Sequence, residues 1–267
     1  MPETKLPAGT GVAFRGGGFV PGNRRWAPWL AFVLIIAAWE AASDTGLLPA
    51  LFMPAPHEVA LALYALLESG QLFVHIGASL QRILGGWVIG SLAGLVVGFA
   101  MGIFVLARSV GLPVVAALFP IPKIALLPLF ILWFGIGEPS KIATIALGVF
   151  FPTVVSAYSA VDNVPRNLIR MAQSFGLSTR MIVFKVILPG AMPGILAGFR
   201  ISSSIALILV VAAEMIGADT GIGSFVLAAG NLMQTDQLVA GVVLLSLIGL
   251  LVSWLLSRVE KTLLRWR

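Results

Sequence analysis

The chain contains no cysteine. That excludes disulfides, thiolate catalysis and cysteine-ligated metals, and it leaves the redox compartment open. Histidine occurs only as His57 and His75, too few to build a metal site without several carboxylates, so no metal is expected. Charge is scarce too. Asp, Glu, Lys and Arg make up 10% of the residues, where soluble domains carry about 25%. Apolar residues are abundant instead, at 59% of the sequence, with a mean hydropathy of +1.02. This is the composition of an all-α, multi-pass membrane protein whose helical bundle counts as one domain. The net charge of +6 does not point to nucleic acid. The basic residues cluster in a few short loops, as the positive-inside rule requires.

Six apolar runs organise the chain. Residues 1–25 are polar, rich in Gly and Pro, and carry Lys5, Arg15, Arg24 and Arg25; they read as a disordered tail. The first run covers 26–42, with Trp26 and Trp29 suited to an interfacial belt. Basic residues ahead of an apolar core also fit a signal peptide, but five more runs follow. Residues 43–75 hold acids and no Lys or Arg, and 57–67 is amphipathic enough to lie along the outer surface. The second run, 80–106, carries Gly90, Gly94, Gly98 and Gly102 on one helix face, where a neighbouring backbone can approach closely.

The third run, 110–134, is interrupted by Pro113, Pro120, Pro122 and Pro128 and holds Lys123. Proline breaks helices, and broken backbone at membrane depth survives only where protein or a water-filled cavity covers it. A broken helix facing the bundle interior is expected. Runs 142–161, 192–216 and 238–256 complete the set. Between them lie a polar loop at 162–188 and an outer loop at 217–236, and a basic tail at 258–267 closes the chain. With both termini inside, Arg82 and Lys141 fall at the outer side and Lys123 and Arg200 within spans. Every other Lys and Arg falls on the inner side, which orients the bundle.

A cation within the bilayer costs roughly 2.5–3.5 kcal/mol on insertion scales. Lys123 and Arg200, with Pro128 and Glu214, are therefore candidates for a pathway that attracts anions. The alternatives are that Lys123 and Arg200 snorkel or bond carbonyls freed by the prolines, and that Glu214 pairs with one of the two or sits at the outer interface. Catalytic groups are missing: there is no Gly-rich phosphate loop with Lys-Ser/Thr, no HExxH and no Ser-His-Asp set. The chain reads as a non-enzyme, and any nucleotide chemistry belongs on another chain.

The polar loop carries a resemblance. Ala172-Gln-Ser-Phe-Gly176 followed by Val186-Ile-Leu188-Pro189 is similar to the cytoplasmic signature of permease subunits of ATP-binding cassette importers. That signature is Glu-Ala-Ala, three residues, Gly, nine residues, then Ile-x-Leu-Pro. Gly176, Leu188 and Pro189 keep the spacing. Arg170 and Met171 depart from it, so a salt bridge from a Glu there to the ATPase is not carried over. Phe52–Pro56, Pro122–Pro128 with Trp133–Gly137, Pro189–Pro193, Ala213–Gly217, Gly221–Gly223 and Gln234–Asp236 resemble the nitrate/sulfonate/taurine branch, with aliphatic sulfonate permeases most similar. The branch also carries bicarbonate, aromatic acids and pyrimidine precursors.

The resemblance implies a six-helix bundle of the type I importer kind in the bacterial inner membrane, working as a dimer with two ATPase subunits. It also implies a periplasmic or lipid-anchored substrate-binding protein, with ATP and Mg held by the ATPases and no cofactor here. A coupling loop of Arg170, Met171, Ala172, Gln173, Ser174, Phe175, Gly176, Leu177, Arg180, Leu188 and Pro189 would place a short helix, about 169–176, in a groove on the ATPase. Pro189 and Pro193 would end the loop and start the fifth span sharply. An ATP-independent secondary transporter and an intramembrane enzyme are the competing readings. The first calls for internal repeats and buried carboxylates, for which only Glu40 and Glu214 are candidates.

Overall fold

A computed structural model describes residues 26–49 and 51–265. The expected tail at 1–25, with Lys5, Arg15, Arg24 and Arg25, lies outside the described residues, as does Arg267. Among the described residues eleven α-helices follow one another: α1 Ala27–Asp44, α2 Pro56–Glu68, α3 Gln71–Ile103, α4 Val105–Leu118, α5 Leu127–Phe134, α6 Glu138–Asp162, α7 Arg166–Ser174, α8 Thr179–Ile182, α9 Leu188–Gly217, α10 Ile222–Asn231 and α11 Thr235–Leu263. Among the described residues there is no β-strand. Among the described residues five helical runs are long and apolar enough to cross a membrane, and α4 with the Lys123–Phe134 segment, bent by 87°, makes a sixth if the pair counts as one span.

The prolines explain that bend. Pro120 and Pro122 supply no N–H, α4 ends at Leu118, and a 3₁₀ turn over Lys123–Leu126 leads into α5. The broken helix expected at 110–134 is thus two half-helices.

The bundle is organised around α6, the most buried helix. Glycine sets its distance from α3. A β-carbon built on Gly86, Gly90, Gly94, Gly98 or Gly102 would come within 3.0 Å of α6, meeting Ile145, the carbonyls of Ala146, Phe150 and Val154, or the Val161 side chain. The small-residue face read from the sequence is a backbone-to-backbone seam, where dispersion between closely packed helices replaces the missing hydrophobic drive. On the other side of α6, Gly148, Gly194 and Gly198 play the same part against α9.

Three details differ from expectation. Pro189 stands in the first turn of α9 and Pro193 inside it, but neither marks a sharp start. One helical run passes through both, from Thr179 to Gly217. Pro189 cannot donate to the carbonyl four residues back; a π-turn over Val183–Ile187 absorbs the defect, with the Leu188 N–H bonding the Val183 carbonyl. The loop expected at 217–236 contains α10, whose Ile222 and Ala229 are buried. α11 also runs on through Arg258 and Lys261 to Leu263.

The two ends of the bundle differ in charge. α2 and α10 lie at one end, where Arg82 and Lys141 are buried, 2% and 5% exposed. α7 lies at the other, beside half-buried Arg108 and exposed Arg166, Arg170, Arg180 and Lys185.

Candidate functional site

α7 is built to present one face and anchor the other. Ile169 and Ala172, three apart, turn inward. Ala172 is buried in a cluster with Val161, Val164, Ile182, Ile187 and Ala191, and Ile169 and Leu177 pack on it. Pro165 at the N-cap, with φ −56°, sets the entry from α6.

The exit is a Schellman turn. Gly176 has φ +69°, its N–H donates to the Gln173 carbonyl, and the Leu177 N–H reaches back to the Ala172 carbonyl. Leu177 packs on the apolar cluster that holds Ala172, the apolar contact that accompanies this motif. Nothing lies within 4 Å of a β-carbon at Gly176, so this position requires glycine for its backbone conformation and not for space. Ser178 then caps α8, accepting from the Met181 N–H.

The opposite face is apolar and uncovered. Leu168, Met171 and Phe175, at i, i+3 and i+7, are 42%, 53% and 77% exposed. Met181 and Phe184 on the next helical run are exposed beside them. Arg166, Arg170, Gln173, Ser174, Arg180 and Lys185 are exposed around this stripe. Among the described residues, no carboxylate forms a salt bridge with these four cations. Leu188 and Pro189, half-buried, open α9. The structure therefore gathers Met171, Phe175 and the basic residues on one surface, with Ala172, Gly176 and Leu177 as its support.

The pathway candidates do not meet one another. Lys123 donates to the carbonyls of Leu118, Phe119 and Ile121 at the break. Arg200 on α9 bonds Glu260 and Ser257 on α11. Pro128 lies in the first turn of α5. Glu214, 1% exposed, pairs with neither cation and is not at an open interface. Its partner is Arg82, at 2.8 Å.

That pair is the centre of a network missed in the sequence. Arg82 on α3 also binds both carboxylate oxygens of Glu138 on α6 and the Thr220 carbonyl. Glu214 accepts further bonds from Ser79 and the Gly223 N–H. Ser79 accepts from the Ile222 N–H, and His75 Nδ1 from the Gly221 N–H. The first N–H groups of α10, orphans of any helix start, are satisfied by side chains of α3 and α9. The available signal was a cation and two acids in otherwise apolar segments. Their separation of 56 and 132 residues along the chain concealed the pairing.

At the same end, His57 on α2 bonds Glu40 on α1 at 2.5 Å. That hydrogen bond holds the His57 pKa above its ordinary value.

Comparison with known proteins bears on the whole chain. The sequence profile of the family described as "Binding-protein-dependent transport system inner membrane component" matches residues 86–265. The chain is 37% identical to the "Putative aliphatic sulfonates transport permease protein SsuC" of Escherichia coli (strain K12), over 91% of this chain and 92% of that one. It is 34% identical to the protein of the same name in Bacillus subtilis (strain 168), over 92% and 91%. It is 36% identical to the "Taurine transport system permease protein TauC" of E. coli K12, over 87% and 86%. Among solved structures, a chain of the MetNI methionine ABC transporter in an inward-facing conformation shares the fold, with a TM-score of 0.61 at 24% identity, covering 71% of this chain and 94% of that one. On its profile match and on relatives spanning nearly its full length, this multi-pass chain belongs to the family of binding-protein-dependent transport system inner membrane components, which are transport permeases and not enzymes.

Proposed function

We propose that this chain is the pathway-forming subunit of an ATP-driven importer for a small organic anion of the sulfonate or taurine class. Two copies enclose the pathway. Two ATPase subunits dock at the α7 end, which faces the cytoplasm, and a substrate-loaded binding protein docks at the α2/α10 end. The observation that carries this reading is the uncovered stripe Leu168–Met171–Phe175 on a helix rigidly anchored from behind. A short helix with anchors at i, i+3 and i+7 is the form that enters a groove on a partner. The rim of Arg166, Arg170, Arg180 and Lys185 supports the orientation through the positive-inside rule and suits an acidic groove edge. Nucleotide and Mg belong to the ATPases, whose closure drives a rigid-body switch between inward- and outward-open bundles.

The names of the relatives supply the substrate class; nitrate, bicarbonate, aromatic acids and pyrimidine precursors are the other candidates. Glu214, held by Arg82, Ser79 and the Gly223 N–H, is poorly placed to carry protons, which disfavours the secondary-transport reading. The test is reconstitution of the full complex in liposomes. ATP hydrolysis and uptake should rise when the binding protein is loaded with an alkyl sulfonate or taurine. Equal stimulation by nitrate or bicarbonate would move the substrate class, and uptake without ATP would overturn the mechanism.

A further inference from the structure

The break in the third span leaves a specific deficit. α4 ends at Leu118, and the last carbonyls of any helix lack intrahelical partners. Pro120 and Pro122 have no N–H to offer them. In a membrane interior such groups must be satisfied from within the protein.

The Ile121 N–H reaches only the Leu118 carbonyl, at 3.3 Å, and Lys123 supplies the rest. Its Nζ donates to the Leu118 carbonyl at 2.7 Å, to Phe119 at 3.0 Å and to Ile121 at 2.6 Å. An ammonium has three protons, and all three are committed. The charge also sits 4.5 Å from the centre of the Phe151 ring on α6, a cation–π distance, and at the carbonyl end of α4, where the helix dipole favours a cation. Lys123 is itself the first residue of the 3₁₀ turn that opens the second half-helix. One side chain therefore ties the start of the second half to the end of the first and to α6.

We propose that Lys123 is a positioning residue for transport: its ammonium clamps the elbow of the broken span and sets the angle between the two halves, and it is not the group that holds the transported anion. This rests on the permease reading above. A cation that binds anions needs a free proton to offer, and the geometry leaves none. Lys123 acts on transport through the direction it gives α5. Removing the clamp loosens the elbow and slows the conformational cycle, with little effect on how the loaded binding protein is received.

The experiment uses the whole reconstituted complex and the natural absence of cysteine in this chain. Spin labels are placed on Val114→Cys in α4 and Leu132→Cys in α5, both on exposed positions, and the distance between them is read with Lys123, with Lys123→Met and with Lys123→Arg. The expected result for Lys123→Met is a broadened, displaced distance distribution. Maximal uptake should fall at least tenfold, while the half-saturating concentration of loaded binding protein stays within twofold. Lys123→Arg keeps the charge, but its planar fork does not converge on three carbonyls; it shifts distance and turnover in the same direction and carries the test if the Met variant does not insert. An unchanged elbow in both variants overturns the proposal. So does a raised half-saturation restored to normal by Arg, which would make Lys123 an anion ligand. If the unsubstituted complex shows no uptake dependent on binding protein while the elbow still follows Lys123, the clamp stands and the permease reading fails.

Discussion

Glu214→Gln is the substitution whose consequence follows most directly from the structure. The side chain is 1% exposed, and one of its oxygens lies 2.8 Å from Arg82 Nη1. The amide is the same size and keeps an oxygen for the Gly223 N–H. It loses the charge and turns N–H groups towards a cation. Removing one member of a buried ion pair costs about 3–5 kcal/mol. Arg82 retains Glu138 through two hydrogen bonds of 2.6 Å, which puts the loss near the lower end, about 3 kcal/mol. For a chain of this size each kcal/mol moves the melting temperature by about 2–4 °C, so a fall of roughly 6–12 °C is expected. The assay is thermal unfolding of the purified protein in nanodiscs, with hydrogen exchange at the Gly221 to Gly223 amides as a local readout. Those amides should exchange fastest among buried positions of the variant. Arg82→Met, which leaves Glu214 buried without its cation and also strips Glu138 of its partner, should cost at least as much. A fall under about 2 °C, or an Arg82→Met variant more stable than Glu214→Gln, would refute the reasoning.

Gly176→Ala should cost about 1–2 kcal/mol, the penalty of a left-handed backbone for an L-residue. Gly176→Asn should cost less, because Asn tolerates that conformation; uptake and ATPase stimulation in liposomes should rank Gly, Asn, Ala. Gly94→Val forces α3 away from the Phe150 carbonyl and Thr153 of α6, and at least 1–3 kcal/mol of overpacking should appear as loss of folded protein on size exclusion. The His57–Glu40 contact raises the His57 pKa, so whatever it contributes is fully present below the ordinary value of 6.5 and is lost as pH rises through the higher folded value. Corrected for the intrinsic rise of exchange with pH, protection of the amides at 45–49 and 51–55 should therefore fall from acid to alkaline pH, and His57→Ala should flatten that profile.

Much of the fold was legible because membrane helices announce themselves by length and hydropathy. Gly90 to Gly102 announced the tightest seam, since only small residues let two backbones meet. Pro120 and Pro122 announced the break. α10 was not legible: ten residues, IGSFVLAAGN, neither span a bilayer nor show a clean face, and the helix start depends on His75, Ser79 and Glu214 from distant segments. The continuity of the helix through Pro189 was equally hidden, because a π-turn heals the defect and no residue code marks π-turns. At the candidate site, the position of a short helix near 169–176 could be read, and α7 lies at Arg166–Ser174. Which of its apolar residues are buried and which are bare could not. Leu168 and Ile169 are neighbours in sequence, and only the packing of Ala172 on Ile182 and Ala191 decides that Ile169 turns in.

The most direct measurement is a single cysteine at Phe175, made in a chain that has no other, treated in intact cells with a membrane-impermeant thiol reagent from outside and, in the isolated complex, with a short bifunctional cross-linker. The expected result is no labelling from outside and a covalent adduct with the ATPase subunit whose yield changes between nucleotide-free and ATP-bound complex. Labelling from outside, or no adduct in either state, would contradict the assignment of α7 as the point where the ATPase drives this permease.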